Sequence, residues 1–139
     1  MAAMIGRVLA TMGILSLFTH LVGCSTPTDE DVIGVWAKED GGQLSVNADG
    51  TFAAQSLPRD VFFDGHRSDP PITGSGTWKL EKASGYWQVR LSFRQMPEYP
   101  QGFFTSVLVV GSGDSTELFR WVEDEGGERY RLTRQPTAP

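Results

Sequence analysis

The 139-residue chain holds one cysteine and two histidines. A lone thiol cannot close an intramolecular disulfide, and with His66 the sole imidazole beyond residue 24 the nitrogen and sulfur ligands of a zinc site cannot be assembled. Basic side chains are scarce as well: 12 Lys and Arg stand against 17 Asp and Glu. One of the basic residues, Arg7, precedes Cys24, so the remainder carries 12 − 1 = 11 basic against 17 acidic groups, net −6. Such a balance excludes nucleic-acid binding by phosphate neutralisation and gives no net attraction to an anionic membrane. The apolar run Val8 to Phe18 spans 11 residues, well short of the roughly 20 needed to cross a bilayer. The sequence also lacks a Gly-x-Ser-x-Gly elbow and a Gly-x-x-x-x-Gly-Lys phosphate loop. Its acidic run Glu123-Asp124-Glu125 has none of the ligand spacing of a calcium loop and reads as a solvated hairpin tip.

Order within the first 24 residues carries the clearest signal. Met1 to Arg7 is a short basic segment, Val8 to Phe18 is apolar, and the small residue Gly23 precedes Cys24, which is the arrangement of a secretory signal and its cleavage site. Thiolate is the strongest nucleophile among ordinary side chains, so a cysteine beside a cleavable bond is suited to alkylation. Leu21-Val22-Gly23-Cys24 resembles the lipobox of bacterial lipoproteins. That resemblance implies a diacylglyceryl group on Cys24, cleavage between Gly23 and Cys24, and in some cells an added N-acyl chain, with no other cofactor. Each buried methylene contributes about 0.8 kcal/mol, and two chains anchor stably where one binds reversibly. The implied location is the extracytoplasmic face of the cell membrane. Ser25 stands where an Asp commonly retains a lipoprotein at the inner membrane, so in a two-membrane bacterium the outer membrane is the implied address.

The expected organisation is a cleaved signal helix over residues 1–23, a lipidated Cys24 with a polar tether to residue 31, and one domain over residues 32–139. Ser25 to Asp31 has one proline and no apolar residue, the composition of a mobile linker. From Val32 onward short runs of β-branched and aromatic residues alternate with glycine-bearing turns. The expected strands are Val32 to Ala37, Gln43 to Asn47, Thr51 to Leu57, Gly76 to Glu81, Tyr86 to Phe93, Phe103 to Val110, Glu117 to Val122 and Glu128 to Arg134. Asn47-Ala48-Asp49-Gly50, Lys82-Ala83-Ser84-Gly85, Gly111-Ser112-Gly113-Asp114 and Asp124-Glu125-Gly126-Gly127 supply the positive-φ residues of tight hairpins.

Within these runs the period of two separates the faces. Trp87, Val89, Leu91 and Phe93 share one side of their strand, and Tyr86, Gln88, Arg90, Ser92 and Arg94 share the other. Phe103 to Val110 departs from the pattern, with apolar groups on both sides. It must therefore be covered twice or carry an outward apolar patch. The predicted class is all-β: an antiparallel meander of about eight strands closing into a barrel, with a two-sheet sandwich as the alternative. Trp36, Trp78, Trp87, Leu91, Phe93 and Leu132 are its expected core. Ile33-Gly34-Val35-Trp36, with Gly76-Thr77-Trp78 as a second copy, resembles the glycine-x-tryptophan that opens lipocalin and avidin barrels. The region as a whole is similar to small actinomycete lipoproteins with Asp-Gly-Thr-Phe and Gly-Thr-Trp turns, a similarity that implies no activity.

Two long loops offer the candidate contacts. Phe62, Phe63 and His66 lie in the segment from Pro58 to Thr73, and Met96, Tyr99, Phe103 and Phe104 lie in and just after the proline-bearing segment 95–102. Exposed loop aromatics commonly mark contact sites; the alternative is that they fold back over the core. Asp60, Asp64, His66 and Asp69 with Arg59 and Arg67 could orient a general base, which leaves a hydrolase as the weaker alternative to a non-enzyme. The expected function is binding of a small apolar ligand or an envelope partner. A structural role in the envelope is the other alternative.

Overall fold

The computed structural model describes residues 26–63, 65–66, 68–122 and 127–136. The expected signal helix, Gly23 and the lipidation residue Cys24 lie outside these residues, as do Asp64, Arg67 and the acidic tip at 123–125. Among the described residues no helix is long and apolar enough to cross a membrane.

Eight antiparallel strands form one closed barrel in sequence order: β1 (Gly34–Ala37), β2 (Gln43–Val46), β3 (Thr51–Leu57), β4 (Ile72–Ala83), β5 (Tyr86–Phe93), β6 (Phe103–Val110), β7 (Glu117–Trp121) and β8 (Arg129–Arg134). Closure is made by β8 against β1, where Trp36 faces Arg134 and Ala37 faces Thr133. The sandwich alternative is thereby rejected. Closure leaves no unpaired edge, and hairpin connections throughout make the up-and-down order the simplest one available.

Strand β4 runs six residues beyond the expected Gly76 to Glu81, four before it from Ile72 with Gly74 inside the strand, and two after it at Lys82 and Ala83. A side chain at Gly76 would place its Cβ 1.8 Å from the Ser92 carbonyl oxygen. Glycine is what lets β4 and β5 pair there.

Alternation sends Trp36, Leu44, Val46, Phe52, Ala54, Leu57, Val89, Leu91, Phe93, Val107, Val109, Leu118 and Leu132 into a single core. Trp78 and Trp87, expected at its centre, are only half-buried and pack against its edge. Trp78 reaches the barrel's end, where its indole N–H donates to the Asn47 carbonyl at 2.8 Å. An indole so placed keeps its donor satisfied while burying its ring.

The two ends of the barrel are built differently. At one, the chain enters through a helical turn, α1 (Asp29–Val32), capped by Thr28. The last three residues of the expected mobile tether thus belong to a structured turn. Its contacts explain why: the Asp31 carboxylate accepts from the Gly113 N–H at 3.0 Å, the Trp36 indole donates to the Val32 carbonyl at 2.9 Å, and Arg134 donates to the Asp31 carbonyl. Two-residue and 3-10 turns, the latter at Gly113–Ser115, complete this end. The opposite end carries the loops after β1, β3, β5 and β7.

Candidate functional site

The loop after β3 turns into the barrel mouth. Pro58 fixes its backbone at the N-cap of a second helical turn, α2 (Arg59–Phe62), which drives Val61, Phe62 and Phe63 inward. Phe62 and Phe63 are 1% and 6% exposed; of the two expectations for these loop aromatics, folding back over the core is the one they follow. Thr105, buried on the inner face of β6, donates its hydroxyl to the Phe62 carbonyl at 2.8 Å. Arg120 bonds the carbonyls of Val61 and Ser106. A helical turn has carbonyls with no partner of its own, and these two side chains supply them.

The loop after β5 folds over the same plug. Met96 and Tyr99 exchange backbone hydrogen bonds at 3.1 and 2.9 Å, which closes a tight turn. Phe63 packs against Phe93 at 5.3 Å, Phe103 at 4.5 Å and Tyr99 at 6.2 Å between ring centroids. Met96, Tyr99 and Phe103 are accordingly half-buried against the core. Arg59 ties the two loops together through an ion pair with Glu98 at 2.7 Å and a bond to the Pro70 carbonyl at 3.1 Å. The carboxylate of Glu98 raises the guanidinium pKa further above its usual value.

Beside the plug remains a cleft of about 520 Å³. The turn after β1 contributes Lys38 and Asp40, α2 contributes Arg59 and Asp60, and β8 with the residue before it contributes Glu128, Arg129 and Tyr130. Its floor is the Tyr130 phenol, which donates to the Asp40 carboxylate at 3.0 Å. The Gly42 N–H donates to the same carboxylate at 2.8 Å. Lys38 lies 4.3 Å from the centroid of the Tyr130 ring, within cation–π range. Burial, reinforced by the hydrogen bond to Asp40, pushes the Tyr130 pKa well above its ordinary 10.0. A Cβ on Gly42 would come within 2.2 Å of the Tyr130 oxygen, so the glycine makes room for this arrangement. Cationic and anionic groups thus line one concave surface with an apolar ring below them. Such a cleft suits a polar segment carrying charges of both signs.

The catalytic alternative finds a different geometry from the one expected. Asp69 accepts at 2.8 Å from the backbone N–H of His66, and Asp69 N–H donates to the His66 carbonyl at 2.9 Å. That carboxylate organises a turn, and the backbone is what it contacts. Asp60 and Asp69 border the cleft, whereas His66 is exposed outside its lining. Among the described residues no group of three or more His, Cys, Asp and Glu could hold a metal ion. Phe104, the remaining expected contact, is 62% exposed and points outward from the barrel wall.

Lys38, Asp40, Arg129 and Tyr130 were not among the residues the sequence singled out. Tyr130 alternates with Leu132 as an ordinary inward strand residue, and its role at the mouth depends on a turn ninety positions away. The local signal that could have pointed to this turn is the run Asp40-Gly41-Gly42. Compared with known proteins, the chain matches no family model, no curated protein and no solved structure.

Proposed function

We propose that the chain is an extracytoplasmic lipoprotein, anchored through Cys24, whose barrel binds an envelope partner through the cleft at the loop end. The cleft lined by Lys38, Asp40, Arg59, Asp60, Arg129 and Tyr130 carries this reading. Eight-stranded barrels either hold one small ligand or are filled by their own side chains. Here Trp36, Phe52 and Phe62 are fully buried within the core along with Leu44, Leu57, Leu91, Leu118 and Leu132. Such an interior favours binding at the mouth over an apolar ligand inside. The small apolar ligand therefore ranks second to a partner segment bearing both charges. Anchoring supports the same choice, since α1 lies at the end opposite the cleft and the tether leaves the loop end available.

Native mass spectrometry of the protein extracted from its own membrane tests both parts. Cys24 is expected to carry the diacylglyceryl mass, and any bound species is expected to be lost in Asp40→Ala and Tyr130→Phe. An unmodified Cys24 removes the anchor. A bound species retained by both variants removes the site.

A further inference from the structure

Strand β6 carries apolar side chains on both faces, and only one face is consumed by the core. Thr105, Val107 and Val109 point inward and are buried; Phe104, Leu108 and Val110 point outward. On β7 Leu118 joins the core, while Phe119 and Trp121 occupy the outer wall. The strand register sets Leu108 beside Phe119 and Phe119 beside Arg131, and it sets Trp121 beside Arg129. Phe104, 62% exposed, and Trp121, 45% exposed, stand near the two margins of this surface.

Arginines lie over these rings; Phe104 and Trp121 stay exposed beside them, whereas Phe119 is 5% exposed. The Arg90 guanidinium lies 4.5 Å from the Phe104 centroid, and Arg129 lies 4.8 Å from both Phe119 and Trp121. In register across the same wall, Lys79, Arg90, Arg129 and Arg131 face outward with Glu81 and Glu117. Arg131 pairs with Glu117 at 3.8 Å, and Arg90 on β5 and Arg129 on β8 stand over the rings at the flanks of the wall. Aromatic rings bearing guanidinium groups match the boundary between acyl chains and phosphates, where rings settle at headgroup level and long basic side chains reach the phosphates.

The chain enters at the tip of the β6–β7 hairpin, the end opposite Phe104 and Trp121, so the wall runs lengthwise away from the point of entry. Helical turn α1 packs against the 3-10 turn that joins β6 to β7, through the Asp31 to Gly113 hydrogen bond. Cys24 precedes Thr28 by four residues, a reach of roughly 14 Å even when fully extended. A lipid on Cys24 therefore holds the bilayer close to the end of the β6–β7 hairpin. We propose that the outer wall formed by β6 and β7, with Phe104, Leu108, Val110 and Trp121, rests on the surface of the lipid bilayer. This rests on the anchor at Cys24 in the reading above. The acidic residues 123–125 follow Trp121 in the chain, so ring burial supplies the contact and the arginines orient it.

Full-length lipidated protein in vesicles of brominated phosphatidylcholine and phosphatidylglycerol tests this, because bromine quenches only tryptophans within contact range. Intact mass is measured first, and a Cys24 without lipid overturns the anchor and this inference together. With the lipid present, the expected result is a quenched component of the emission that disappears in Trp121→Phe. Phe104→Ser is expected to reduce the quenching of Trp121 while leaving lipidation unchanged. Equal quenching in the native protein and Trp121→Phe overturns the inference alone, and the wall is then left to a protein partner.

Discussion

The two ends of the barrel solve one problem, closing a tube, with different residues and different consequences. At the entry end, tryptophan does the closing: Trp36 binds α1, and Trp78 and Trp87 pack around the rim. The connections there are short, and hydrogen bonds from Gly113 and Arg134 to Asp31 tie the entering turn to distant parts of the chain. At the loop end, phenylalanines carried on a folded-back segment do the closing, with Phe62 and Phe63 held by Thr105 and the loop after β5. A plug delivered by a long loop leaves space beside it, and that space is the cleft. The contrast shows how a solid barrel keeps a binding surface: one end gives up concavity for a firm attachment, and the other retains it.

The largest expected effect comes from emptying either plug. Trp36→Ala and Phe62→Ala should each cost about 3–5 kcal/mol of folding stability, the range for removing a large buried ring. Urea unfolding measures this. Trp36→Ala is further expected to release α1 and Phe62→Ala to leave it in place, so protease cutting near residue 30 should rise only in the first variant.

A smaller effect is expected from Thr105→Val, which leaves the Phe62 carbonyl without its hydroxyl partner. Loss of about 1–2 kcal/mol is expected for one buried hydrogen bond broken on one side. Amide exchange over residues 58–63 should quicken while exchange at the entry end stays constant.

Titration distinguishes the ends without any loss of fold. Tyr130 in the folded protein holds its proton above the ordinary tyrosine value of 10.0. Its contribution to stability is therefore complete below pH 10 and falls as pH rises from there toward the folded-state value. Ultraviolet titration should show one of the three tyrosines ionising late, and Tyr130→Phe should remove that component. At the entry end the sign reverses. Asp31 is lowered from 3.8, chiefly by the Thr28 and then the Gly113 backbone N–H groups, so its contribution is present above pH 3.8 and fades as pH falls through the folded-state value. Asp31→Asn should abolish that acid dependence and show at neutral pH the weaker α1 docking that the native protein shows only in acid.

Much of the architecture was legible because strands write a period of two into the sequence and glycine-bearing turns punctuate it. The bounds of β3, β5 and β6 follow directly from such runs. Less legible was whatever depends on residues meeting across the barrel. The expected strand began at Gly76 and left Gly74 out, since the Phe93 and Met96 side chains against which Gly74 lies are not visible from β4 alone. Phe62 and Phe63 sit among charged neighbours that suggested an outward loop; only the empty mouth of the barrel explains why they turn in. Tyr130 and Asp40 meet through closure of the first strand on the last, a long-range event with no local signature. By contrast, the two-faced apolar pattern of β6 predicted a choice between double cover and an outward patch, and the patch is what the wall displays.

Photo-crosslinking in intact cells tests the division of labour between the two ends most directly. A photo-reactive side chain is placed in turn at Lys38, on the cleft, and at Ala48, in the turn after β2 at the entry end. A discrete partner adduct is expected from position 38, absent from position 48 and weakened by Asp40→Ala. The same adduct from position 48, or from both positions alike, would contradict the assignment of binding to the loop end.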